Sequence, residues 1–534
     1  MKKNIIKAFF ISATMLTGGV LMNSCNDSID IVQDGEAYES QITTVTQLTS
    51  YLTGSVYNLM EPTFANYLTA VITDELAPGI GSGGQEFQLH RFFIDSNDTY
   101  TANIWSNNYL VINRVNHVLK VAEQVKPANA AEQTTYNKVI AQARAIRAYC
   151  YLQLETYFST DMKNENALGV MWLEGVPAGD NIFNFSAPRL SNKAIYDRIN
   201  ADLDYARGIL PYMKNDGPTA NNPALNSDSR FFASKDFVNA IAARFNLYRG
   251  NYALAKQYAQ DVVSNVSFGL TVATPMTTST SGAIGSSSWN SAWYNTNTAF
   301  NPYRQMWGDL NRGEIIFALN RLATGSTGPT TAGIGTYYNT NASNITGAVM
   351  WFWGKNLYNA FNVNGDVRKY AYIDPSSNPY LANNYFVIDK FPGKPGAATR
   401  NDVKVFRLSE MQLILAETAV EEGNFAQAAT YVNNVRTARA YSGTPVTPTY
   451  ANKQAAYADI LKERRVELAL EGHRYIDLKR LATTAGVTMD RDLTADDYIP
   501  TSNLPNNSYK YTLPIPLAEL TGNPGMAGQQ NPGY

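Results

Sequence analysis

Residues 243–258 read ARFNLYRGNYALAKQY and residues 416–431 read AETAVEEGNFAQAATY. The two stretches agree at fixed offsets: Ala243 with Ala416, Gly250-Asn251-aromatic-Ala253 with Gly423-Asn424-aromatic-Ala426, Ala255 with Ala428, and Tyr258 with Tyr431. This is an internal helix-turn-helix repeat. The glycine ends the first helix in a conformation other residues adopt with difficulty, the aromatic plugs the gap, and the small alanine lets the second helix pack closely.

Such a turn resembles the tetratricopeptide turn and predicts several hairpins stacked side by side. Outward from it, Tyr109, Ile112, Val115, Val118 and Leu119 recur at helical spacing, as do Ile140, Ala143, Ile146 and Tyr149, and Pro127 and Asn129 separate the two runs. A helical hairpin is expected there. Further helices are predicted over residues 195–210, 236–248, 252–263, 405–421, 425–440 and 455–480. Arg464, Glu467, Glu471, Arg474 and Asp477 fall at i, i+3 and i, i+4 spacing on the last of these and read as a helical ion-pair network.

The stretch 267–396 has another texture, dominated by Gly, Ser, Thr and Asn, and it is expected to lie over the helical body as loops. It nevertheless holds five of the seven tryptophans. Trp289, Trp293 and Tyr294, set among Ser, Asn and Thr, are the first candidates for a platform on which sugar rings stack. Tyr100 and Arg91, from the polar loop before the Trp105 helix, are weaker additions. Trp353, inside MWFWG, reads as core.

The chain has 534 residues, 45% hydrophobic and 16% charged, with a formal net charge of −2 that becomes −5 without the lysines at 2, 3 and 7. Neither nucleic acid nor an anionic membrane suits that balance. Thirty-four tyrosines among many Asn and Thr suit sugars or peptides better than phosphates. Those lysines precede an apolar run, residues 8–22, that ends at Asn23-Ser24-Cys25. This reads as a secretory signal over residues 1–24, with Cys25 acylated as the first mature residue, so that the membrane is met only through lipid. Cys150 then has no disulfide partner and is read as a small buried hydrophobe.

The segments IWSNNYLVINRVNHVL (104–119), ARAIRAYCYLQLETYF (143–158), RLSEMQLILAETAVEEGNFAQAATYVNNVRTARA (407–440), ERRVELALEGHRYIDLKR (463–480), LPIPLAEL and the terminal QNPGY resemble the SusD/RagB family of Bacteroidetes outer-membrane lipoproteins. The resemblance implies a mainly α fold with a tetratricopeptide-like body over about 40–266 and 400–481. It adds a loop-rich ligand lobe with little strand over about 267–399 and an extended segment over 482–534. It also implies a lid on a SusC-like TonB-dependent transporter, facing the cell exterior, that captures a glycan or, alternatively, a peptide. No catalytic residue, metal or cofactor is expected.

Two other classes compete. A glycoside hydrolase needs two carboxylates held across a cleft, whereas the acidic residues here concentrate on helices. A repeat scaffold without a small ligand explains the hairpins but leaves the loop tryptophans without a purpose. His90, His117 and His473 have no ligand spacing with one another and read as structural. GIGSGG lacks the GK[ST] ending of a phosphate loop.

Overall fold

The computed structural model describes residues 39–79, 83–175, 185–213, 229–295, 300–324, 334–338, 350–378, 385–398, 400–496 and 503–534. The signal peptide expected over 1–24 and the acylation expected at Cys25 lie outside them. The fold is mainly α. The expected first hairpin is present as Thr99–Ala122 and Ala130–Phe158, each N-capped by a side chain, Asp98 and Asn129. Consecutive helices pack in pairs: Asn192–Ile209 against the second of these, Lys235–Tyr248 against Tyr252–Asn265, and Leu408–Glu421 against Phe425–Arg439.

Both repeat turns form as the sequence requires. Gly250 and Gly423 take φ of 78° and 73°, the left-handed region where a Cβ is disfavoured. The asparagine that follows each glycine then caps the next helix: Asn251 accepts from the Leu254 amide at 3.2 Å and Asn424 from the Gln427 amide at 3.1 Å. Ala255 and Ala428 are fully buried. The two hairpins stack on each other through Tyr252–Asn265 and Leu408–Glu421, with Lys256 and Glu422 paired at 2.8 Å between the turns.

Two of the expected helices differ. The predicted helix 405–421 begins only at Leu408, because Val403–Arg407 is a strand antiparallel to Ile315–Leu319, with Phe406 opposite Phe317. The predicted helix 455–480 is two helices, Lys453–Glu467 and Arg474–Ala485, broken where Leu470 and Gly472 adopt φ of 60° and 82°. The break frees main-chain carbonyls that a continuous helix would consume. Arg407 donates to the Glu467 carbonyl at 2.9 Å and Lys390 to the Ala469 carbonyl at 2.6 Å. Glu75 in turn accepts from the Leu470 amide at 2.8 Å.

The ion-pair network expected along one helix is therefore a buried three-dimensional lattice. Glu467 meets Arg407 at 2.8 Å, Arg439 at 2.7 Å and Arg368 at 3.2 Å, whereas Arg474 pairs with Asp74 at 2.7 Å and Arg464 with Asp477 at 2.6 Å. Surrounded by guanidinium groups, Glu467 is held well below the usual carboxylate range even though burial pushes it up. Charges buried at this depth need such partners, and losing one strands the rest.

Among its described residues, the Gly- and Ser-rich middle sets short elements between its loops. It carries the short helices Ser287–Trp293, Pro302–Trp307, Lys355–Phe361 and Arg368–Tyr372, and its buried side chains belong to the same apolar core as the helical body. Two of the three strand pairs among the described residues tie it down: Ile315–Leu319 with Val403–Arg407, and Trp351–Trp353 with Leu76–Pro78. Cys150 is buried in that core and its thiol is pushed up by desolvation. Among the described residues, no helix is long and apolar enough to cross a membrane.

Candidate functional site

Trp289 and Trp293 do not form an open platform. Both indoles are 0% exposed, stacked on each other with centroids 4.8 Å apart, and each ring N–H donates to a main-chain carbonyl: Trp289 to Met276 at 2.7 Å, Trp293 to Tyr370 at 3.1 Å. The surrounding serines serve the backbone, with Ser286 capping the Ser287–Trp293 helix by accepting from the Trp289 amide at 3.2 Å. Tyr294 is half-buried, its hydroxyl on the Ile373 carbonyl at 3.1 Å and the Arg304 guanidinium 5.3 Å from its ring centroid. Trp353 is core, as read, and donates to the Tyr372 carbonyl at 2.8 Å.

Tyr100 leads instead to a second group of rings. It stands in the first turn of Thr99–Ala122, half-buried, 5.5 Å from the ring of Tyr67 on the helix Thr63–Val71. Tyr337, half-buried on Gly335–Tyr338, stacks on Tyr67 with centroids 4.1 Å apart and planes 26° apart. Tyr338 and Trp351 back the group, the latter donating its ring N–H to the Tyr67 hydroxyl at 2.8 Å. Three segments far apart in sequence thus bring three tyrosine rings side by side.

The group is fastened by one carboxylate. Glu86 precedes the short helix Phe87–His90 with φ 60°, an uncommon conformation for a residue with a side chain, and accepts hydrogen bonds from the hydroxyls of both Tyr67 and Tyr100. Burial lifts its carboxyl above the ordinary range, with Asp98 adding to the lift and the Tyr67 hydroxyl opposing it. With their hydroxyls on Glu86, the Tyr67 and Tyr100 rings are fixed in orientation; Tyr67 is buried, and Tyr100 and Tyr337 are the partly exposed members. Arg91 follows the same short helix and lies half-buried with its guanidinium 5.3 Å from the Phe87 centroid.

A separate cleft of about 700 Å³ lies between the Thr99–Ala122 helix and the C-terminal segment, walled by Trp105, His117, Met171, Phe185 and Glu519. Its tryptophan offers little face: Trp105 is buried against Tyr109 and Phe158, with its ring N–H on Glu519 at 3.0 Å. The histidines have structural surroundings. His90 lies between the carbonyls of Val71 and Asp496, His117 meets Glu39 at 2.6 Å, and burial beside several arginines keeps His473 well below its usual pKa.

Comparison with known proteins places this architecture. Residues 330–534 match the family described as SusD family, and residues 30–247 match the one described as starch-binding associating with outer membrane. The chain belongs to the SusD/RagB family. Within it, the SusD-like protein P2 of Formosa agariphila is 24% identical over 93% of this chain and 94% of that protein. Among solved structures, a SusD superfamily protein from Bacteroides thetaiotaomicron aligns with a TM-score of 0.71 at 21% identity, covering 92% of this chain and 100% of the other. Surface glycan-binding protein A from Bacteroides fluxus aligns with a TM-score of 0.64 at 20% identity, covering 92% and 100%. At these identities the structures establish the SusD fold alone. Sequence reasoning passed over Tyr67 and Tyr337; the available signal was the Tyr337-Tyr338 pair inside a long run of small uncharged residues.

Proposed function

We propose that this protein captures a glycan at the cell surface and passes it unaltered to a SusC-like TonB-dependent transporter in the outer membrane, to which it is anchored through acylated Cys25. The reading is carried by the ring group of Tyr67, Tyr100 and Tyr337, in which Glu86 fixes the first two, the third stacks on Tyr67, and Tyr100 and Tyr337 are only half-buried. Aromatic faces held side by side suit the C–H faces of successive sugar rings. The glycan-binding name of the Bacteroides fluxus neighbour agrees with this. The buried pair Trp289 and Trp293 serves the core rather than the ligand on this reading, and Tyr294 and Arg91 are left at the periphery.

A lid of this kind needs only modest affinity of its own, because closing over a barrel buries the ligand from both sides. Titration calorimetry of the mature protein with a panel of oligosaccharides and peptides tests the proposal. Heat from an oligosaccharide without any new reducing end is expected. Release of product would make the protein a hydrolase, and heat from peptides alone would make it a peptide lid.

A further inference from the structure

The charges around the tyrosine group narrow the class of glycan, an inference that rests on the capture reading above. We propose that the site selects uncharged glycans and turns away polyanionic ones such as oligouronates and sulfated saccharides.

The carboxylate nearest the rings is Glu86, bonded to both Tyr67 and Tyr100. Asp98 acts on Glu86, and Asp95 on Asp98, each in the sense of one negative charge beside another. Tyr337 feels Glu61 and Glu86, and Tyr338 feels Glu75 and Glu86, again all of one sign. Two of these carboxylates have cations at hand: Glu61 meets Arg321 at 3.2 Å, and Arg474 and Lys390 act on Glu75. Among the described residues, Glu86, Asp95 and Asp98 have no Lys or Arg within ion-pair distance.

The neighbouring sequence offers little to offset them, and among the described residues the two cations that reach this loop from afar donate to main chain, Arg491 to the His90 carbonyl and Lys510 to the Phe92 carbonyl, both at 2.6 Å. Between Glu75 and Glu86, and again between Arg321 and Lys355, there is no Asp, Glu, Lys or Arg. From Glu86 to Tyr100 the only lysine or arginine is Arg91, set against Phe87. Proteins that bind carboxylated or sulfated ligands use the forked donors of arginine or the ammonium of lysine. Here Glu86 touches the rings, Asp98 stands beside Glu86 and Asp95 beside Asp98, and the field of that row in a partly buried setting repels an anion and leaves a neutral pyranose unaffected.

Calorimetry of the full mature chain with two ladders separates the outcomes: neutral gluco-, xylo- and manno-oligosaccharides, and oligogalacturonates with sulfated oligosaccharides, each at 50 and 300 mM NaCl. Binding of a neutral series at least tenfold tighter than any anionic one, changing less than twofold with salt, is the expected result. Anionic ligands binding as tightly as neutral ones, or more tightly at low salt, would overturn the charge selection while leaving capture intact. Silence to both ladders would overturn capture, and this inference with it. The double variant D95N/D98N keeps the turn and cap geometry, since Asn serves both roles, and is expected to narrow the discrimination at least threefold at unchanged melting temperature. Discrimination unchanged in that variant would refute the assignment of the field to these carboxylates.

Discussion

The ring of Tyr337 lies against that of Tyr67 with centroids 4.1 Å apart, and the hydroxyl of Tyr67 joins the Trp351 indole to the Glu86 carboxylate. The two tyrosines therefore separate by role. Tyr337→Ala removes a half-buried ring that fastens little else, and it is expected to weaken glycan binding about tenfold, on the order of 1–2 kcal/mol, with little change in melting temperature. Tyr67→Phe keeps the ring but strips a partner from Trp351 and from Glu86, at a cost of about 1–3 kcal/mol of stability. Calorimetry and urea unfolding of both variants check the pair. Equal affinity for the glycan in Tyr337→Ala and in the wild type would remove this ring group as the site.

Trp289→Ala and Trp293→Ala are expected to act on the fold. Each indole is fully enclosed, so each truncation leaves a cavity worth about 3–5 kcal/mol. Because the rings touch, the double variant should cost less than the sum of the two. Denaturant midpoints measure this, and the folded fraction should bind glycan with wild-type affinity. Loss of affinity at full stability would return these tryptophans to the ligand.

What the sequence disclosed was local, and what it concealed was tertiary. Gly250 and Gly423 were legible because a left-handed turn has few alternatives, and the hairpins followed from them. The setting of Trp289 was misleading because Ser and Asn can serve either water or the backbone, and here Ser286 and Asn301 cap short helices. The break after Glu467 was hidden for a related reason: the residues that donate to its exposed carbonyls, Lys390 and Arg407, are distant in the chain. Tyr100 was found through its polar loop, whereas its partners Tyr67 and Tyr337 have no periodicity linking them to it.

The break itself can be probed at Gly472. Its φ of 82° disfavours any side chain, and an added Cβ would collide with the amide oxygen of Asn66 and approach the Tyr157 hydroxyl. Gly472→Ala is expected to destabilise the protein by roughly 2–4 kcal/mol, more than the conformational term alone, because the lattice around Glu467 must shift with it. Urea unfolding gives the value. A loss below about 0.5 kcal/mol would mean that the turn relaxes without disturbing the arginines.

Glu155 supplies a pH signature. One of its oxygens accepts from the Val170 amide at 2.9 Å, the other has no partner among the described residues, and burial lifts the carboxyl from its ordinary 4.5 to about 8. A carboxyl raised on folding favours the folded state fully below its unfolded pKa, and that advantage is lost as pH rises through the folded value. Stability should therefore fall between about pH 4.5 and 8 through this group, as the unfolded chain ionises while the folded one holds its proton. Glu155→Gln removes the ionisation. It is expected to match the wild type near pH 4 and to exceed it by roughly 2–4 kcal/mol at pH 8, an upper range because neighbouring Arg189 and Lys479 ease the charged form. Melting curves of the two proteins from pH 4 to pH 8 decide the matter, and parallel curves would show that Glu155 ionises over the same pH range in the folded and the unfolded chain.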